Sequence, residues 1–167
     1  KPGEKKLADL LEVRVIRTPG LSAAAIGDAR VVVLANVARL TPKQLVEVQS
    51  FVRDGGGLLI FPGDKIDTKW YNETLHAAGL LPAPLTELAD LSREPEPFTR
   101  IRAQRFEHPP LNLFNDPRNG TPAEAEITKW YRTLAQPDNP LVRMHALLES
   151  GDPFLLEKRF NEGRVFF

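Results

Sequence analysis

Asp64 and Lys65 stand on a turn, Pro62-Gly63-Asp64-Lys65, directly after the apolar run LLIF at 58–61. In open α/β sheets, ligands and catalytic groups collect beyond the carboxyl ends of strands, and a nucleophile elbow occupies this kind of turn. A carboxylate beside an ammonium could hold a metal, bind an anion or act as a base, whereas Pro62 brings no reactive group. The plainer roles are an Asp64 carboxylate that caps the turn and a solvated Lys65. His108 precedes Pro109-Pro110 on a loop and is the best-placed histidine for a site. His76 falls within a helical stretch and His145 within a strand, and neither has a partner at metal-ligand spacing, so spacing predicts no metal site and no cofactor. Ser22, Ser50, Ser92 and Ser150 are all off the elbow, which leaves no Ser–His–Asp set. The absence of cysteine removes disulfides, thiolate nucleophiles and thiolate metal sites.

Gly55–Gly57 come before their strand rather than after it. They are therefore neither a phosphate loop nor a dinucleotide fingerprint, and read as a helix stop that brings the chain closely into a buried strand. Two Lys-Trp-Tyr triplets, at 69–71 and 129–131, could stack a base or a sugar but read first as packing or interface. Arg100, Arg102 and Arg105 read as a solvated edge face. With 22 basic and 22 acidic residues, the charge balance gives no pull toward nucleic acid or an anionic membrane. No apolar segment approaches the roughly 20 residues needed to span a bilayer, so no direct membrane insertion is expected.

The elements that must position these residues follow from periodicity. LEVRVIR (11–17) alternates and predicts a strand; 18–29 predicts a connector. RVVVLANV (30–37) lacks alternation and predicts a strand covered on both faces. A helix is predicted from Thr41 as N-cap and Pro42 at its first position, with Leu45, Val48, Phe51 and Val52 on one face and Gly55 at its end. With LLIF this makes a βαβ unit whose strands are parallel neighbours. A second helix is predicted over 67–82. From there prolines fence in FTRIRAQRF as a strand, His108–Leu111 is barred from helix, and short helices are predicted in NLFNDP or TPAEAEI. Strands are expected in 127–134, 141–150 and 153–160, and NEG (161–163) predicts a hairpin with positive φ at Asn161 and Gly163.

In this order, VVVLANV, the helix opening TPKQ and FVRDGGGLLIFPGD resemble the class I glutamine amidotransferase-like superfamily. With YN..L...GLLPA.L, the HP segment and a terminal G.P.L.E..F..GRV pattern, the chain is similar to the amidotransferase-like domain of large bacterial membrane proteins. Those proteins carry an aerotolerance-regulator-type N-terminus and often a von Willebrand factor A domain. The resemblance implies a flavodoxin-like, Rossmann-like α/β three-layer sandwich with a mostly parallel sheet and an antiparallel, mixed C-terminal part. It implies a single domain excised from a longer chain, with 30–85 as core and 86–167 as insertion and mixed β part, and a first strand before Lys1. The family's active members place Cys on the turn after the strand matching LLIF; this chain has none, so that chemistry is excluded. Ala35–Val37 matches the oxyanion loop.

The function expected on these grounds is a non-catalytic interaction or ligand-binding domain of a membrane-anchored parent, with domains of that parent or a membrane complex as partners. The candidate ligand-binding residues are Asn36, Pro62, Gly63, Asp64, Lys65, Tyr71 and His108. The alternatives are a hydrolase using Asp64 and His108, or a sugar-binding relative of trehalose-utilisation-type domains that stacks its ligand on Trp70 or Tyr71.

Overall fold

The computed structural model describes residues 12–135 and 138–167. In chain order the strands are β1 (Val31–Ala35), β2 (Gly57–Phe61), β3 (Leu85–Asp90), β4 (Thr99–Arg100), β5 (Glu126–Ile127), β6 (Lys129–Thr133), β7 (Val142–Leu147), β8 (Pro153–Phe160) and β9 (Gly163–Phe166). The helices are α1 (Ala23–Ile26), α2 (Pro42–Arg53), α3 (Thr68–Trp70), which widens into a π-helical stretch at Tyr71–His76, and α4 (Pro109–Asn112).

The architecture is α/β, around a five-stranded sheet in the order β1-β2-β9-β8-β7. β1 and β2 are parallel neighbours, as the βαβ reading requires, with Val31 opposite Gly57 and Ala35 opposite Phe61. β9 inserts beside β2 in parallel and beside β8 in antiparallel, so one strand joins the two styles of pairing. Two small antiparallel sheets, β3-β6 and β4-β5, belong to the excursion between β2 and β8.

Local chemistry accounts for α2. The Thr41 hydroxyl accepts from the Gln44 N–H while the Gln44 side chain accepts from the Thr41 N–H, a capping box followed by Pro42 at the first helical position. The Gln44 amide also donates to the carbonyls of Thr18 and Leu21, tying the preceding connector down. Val48 and Val52 are fully buried, each contributing about 1.5–3 kcal/mol by leaving water. They join Leu58, Ile60, Tyr71, Leu75, Leu80 and Val165 in the main core, on one face of the sheet. Asp67 caps the next helix by accepting from the Trp70 N–H at 3.0 Å.

Several expectations need correction. Residues 12–17 form no strand: Val13 and Val15 are exposed, so among the described residues the apolar face of the alternating pattern has nothing packed against it; Leu11 lies outside the described residues. The 18–29 connector contains a 3-10 turn at Thr18–Gly20 and α1. β1 is not covered on both faces: Leu34 is buried in the main core, while Val31 and Val33 are half exposed. FTRIRAQRF shrinks to β4 plus one bridge from Ile101 to Leu148. His108–Leu111 is not barred from helix: Pro109 and Pro110 occupy the first turn of α4, where a missing N–H costs no hydrogen bond. Thr121 caps a 3-10 turn at Pro122–Glu124 as expected of TPAEAEI.

The glycines separate by mechanism. Gly55 takes φ 106° and closes α2, and Asn161 takes φ 52° at the β8–β9 turn. Gly163 does not need a left-handed backbone, contrary to expectation. It is required because a Cβ there would lie 2.0 Å from the Val52 carbonyl oxygen and 2.5 Å from that of Gly56. Gly163→Ala is therefore expected to lower stability by at least about 3 kcal/mol, since backbone cannot yield as a side chain can. Gly20→Ala, where nothing lies within 4 Å, is the matched control and should leave the urea midpoint nearly unchanged.

Candidate functional site

The turn after β2 is assembled by Asn36, which ends β1 with φ 51°. Its amide donates to Asp64 Oδ1 at 2.7 Å, and its Oδ1 accepts from the Lys65 N–H at 2.9 Å. Gly63 is needed for this approach, because a Cβ would sit 2.5 Å from the Asn36 side chain. The Asn36 N–H donates to the Phe61 carbonyl, so it is not free to serve an oxyanion. Asn36, Gly63, Asp64 and Lys65 thus converge as the sequence suggested, and their polar groups hold the turn together.

Tyr71 belongs elsewhere. Its ring is fully buried in the main core and its hydroxyl donates to the Val37 carbonyl at 2.8 Å, so it offers no face to a ligand. Trp70, only partly buried, packs edge-on against it, so of the two stacking candidates Tyr71 is the one whose ring is closed off.

A cavity of about 670 Å³ opens beyond the carboxyl ends of β2 and β9. Phe61, Pro62, Gly63 and Asp64 form one wall, Trp130 and Tyr131 from β6 another, and Phe154, Phe166 and Phe167 a third. His108 reaches the same cavity from the start of α4. Trp130 is held by its indole N–H, which donates to Asp152 at 2.9 Å, and the Tyr131 hydroxyl donates to the Gly63 carbonyl at 3.3 Å.

Beside the cavity the fold builds a cluster that spacing in the sequence did not reveal. Residues 144–147 of β7 pair irregularly with β8: Met144 faces Leu156, Ala146 faces Leu155, and His145 is the extra residue between them. A bulge re-aims a side chain. Here it brings His145 Nε2 to 2.6 Å from Glu157 Oε2, while His108 Nε2 lies 3.7 Å from the same oxygen. The other Glu157 oxygen is 3.2 Å from Arg164 Nη1. The side chains of His108, His145 and Glu157 are only 9%, 13% and 10% exposed. Burial is the main cause holding the His108 imidazole below the ordinary histidine range; the neighbouring His145 adds to it, Glu157 opposes it, and Arg164 again lowers it. His108 Nδ1 is buried with no hydrogen-bond partner among the described residues. Asp64 and His108 line one cavity, yet each is engaged by a different partner, Asn36 and Glu157 respectively.

No family model matches the chain, and no curated protein matches it. Among solved structures, Cytoplasmic Protein STM3548 from Salmonella typhimurium superposes with a TM-score of 0.65 at 18% identity, over 87% of this chain and 62% of that one. Cytoplasmic Protein STM1381 from Salmonella typhimurium LT2 gives 0.63 at 17%, with the same 87% and 62%. A β-galactosidase from Bacillus circulans sp. alkalophilus gives 0.51 at 13%, over 82% of this chain and 19% of that enzyme. These likenesses are of fold. The chain spans about three-fifths of the length of the two Salmonella proteins.

The buried Tyr71 makes a pH prediction. Burial first, and then Tyr131, push its phenol from 10.0 up to about 12. The unfolded chain loses this proton near pH 10 while the fold keeps it, so stability is intact below about pH 10 and falls as the pH rises toward about 12. Tyr71→Phe should remove that slope from the urea midpoint against pH. It should also cost about 1 kcal/mol at neutral pH for the lost hydrogen bond.

Proposed function

We propose that the chain is a non-catalytic ligand-binding domain on an amidotransferase-like scaffold, taking an apolar or aromatic small molecule in the cavity beyond β2 and β9. The aromatic lining of that cavity carries the reading: Phe61, Trp130, Phe154, Phe166 and Phe167 supply extensive apolar contact, with Asp64 and Lys129 as its charged lining groups. The elbow supports it from the other side. There is no cysteine, and the Asn36, Asp64 and Lys65 groups are bonded to one another. The motif resemblance supports a place within a larger membrane-associated bacterial protein, where the bound group would be a ligand or an apolar segment of a neighbouring domain.

A hydrolase using Asp64 and His108 is the second reading, favoured by the shared cavity. Among the described hydrogen bonds and ion pairs the two side chains share no partner, which favours binding over chemistry.

The probe 1-anilinonaphthalene-8-sulfonate is expected to bind saturably at one per chain. Leu88→Trp should lower its affinity about tenfold by filling the cavity. Leu88 is already half exposed on β3, so the fold should tolerate the change. Purified protein should hydrolyse neither glutamine nor nitrophenyl esters. Unsaturable probe binding, or binding indifferent to Leu88→Trp, would overturn the binding reading, and ester turnover abolished by Asp64→Asn would establish the second.

A further inference from the structure

We propose that His108, His145 and Glu157 form a binding site for a divalent transition metal of the zinc class, beside the cavity that His108 lines. This inference stands apart from the ligand-binding reading, since it requires no occupant of the cavity.

One ligand atom from each of the three residues lies within 4.8 Å of the other two. Zinc bonds of about 2.0–2.2 Å to imidazole nitrogen and carboxylate oxygen place tetrahedral donors about 3.4 Å apart. The 3.7 Å from His108 Nε2 to Glu157 Oε2 already matches that span. The 2.6 Å contact from His145 must open by less than about 1 Å, which a small rotation of either side chain provides. The donor set, two nitrogens and one oxygen, suits zinc, cobalt or ferrous iron rather than calcium or magnesium.

Three further observations fit a metal better than a plain buried ion pair. First, the donors come from three separate segments: the residue before α4, the bulge in β7, and β8. A bulge that turns one histidine toward another gains nothing for the sheet, because the extra residue is left out of the pairing register. Second, the imidazoles crowd together with centroids 4.3 Å apart while both Nε2 atoms lie near one Glu157 oxygen, so a single cation between them can be shared by all three groups. Third, the Arg164 guanidinium holds the second carboxylate oxygen at 3.2 Å and so orients Glu157 for coordination through the first. Phe166 packs edge-on against His108 at 5.6 Å and fixes that ring from the cavity side. The buried, partnerless His108 Nδ1 is the cost of the arrangement.

The test uses the full chain without a histidine tag, stripped with a chelator and titrated with cobalt(II) chloride. The expected result is one cobalt per chain with the strong visible absorption of four-coordinate geometry, displaced by zinc chloride. His145→Gln and Glu157→Gln should each weaken binding at least about 100-fold, as befits loss of a direct ligand. His76→Gln, at the remaining histidine of the chain, should leave it unchanged. A measurement on the unaltered protein guards against a variant that fails to fold. Zinc should protect His108 and His145, but not His76, from diethylpyrocarbonate, as read by peptide mass spectrometry. No saturable cobalt binding, or equal modification of the histidines with and without zinc, would overturn the proposal.

Discussion

The contact between Gly163 and the backbone at Val52 and Gly56 is what the rest of the molecule depends on. β9 can enter the sheet only if its first residue passes between the end of α2 and the start of β2 without a side chain. Once there, it offers one edge to β2 in parallel and the other to β8 in antiparallel. The parallel β1-α2-β2 unit and the antiparallel β7-β8 pair have no other strand in common. Val165, fully buried on β9, then completes the main core against the helical layer.

That frame places two groups of polar residues near one cavity and gives them different roles. At the end of β2, Asn36 spends its amide on Asp64 and Lys65, and Tyr131 reaches across to the Gly63 carbonyl. The turn has the position of an elbow and the hydrogen bonding of a structural joint. Beside the cavity, His108, His145 and Glu157 are held by burial and by Arg164 rather than by a tight turn. Their mutual closeness is long-range, drawn from α4, β7 and β8.

How much of this could be read from residues alone follows from the range of each interaction. The N-cap at Thr41, the proline at the start of α2, the stop at Gly55 and the parallel β1–β2 pair are local or nearly so, and the chain announces them. The clustering of Asn36 with Gly63, Asp64 and Lys65 followed from the parallel pairing, which sets the two strand ends side by side. Tyr71 was misplaced because its helix turns that ring inward, a matter of orientation that spacing does not determine. The alternation at 12–17 misled because pattern shows what a strand would bury, not whether a neighbour exists. His145 was the hardest. Its partners lie 12 positions away and 37 positions back (157 − 145 and 145 − 108), and a one-residue bulge decides where it points.

The excursion between β2 and β8 contributes Leu88, His108, Trp130 and Tyr131 to the cavity, but no strand to the five-stranded sheet save β7 at its far edge. Closing a loop costs only about 0.6 kcal/mol more for each doubling of its length. A change of loop length within residues 86–133 therefore costs the frame little, because β1, β2, β8 and β9 are held by pairing with one another. The wall is tied to that frame chiefly at Tyr131, which packs on the main core and bonds to Gly63, so the shape of the cavity and the stability of the sheet rest on largely different residues.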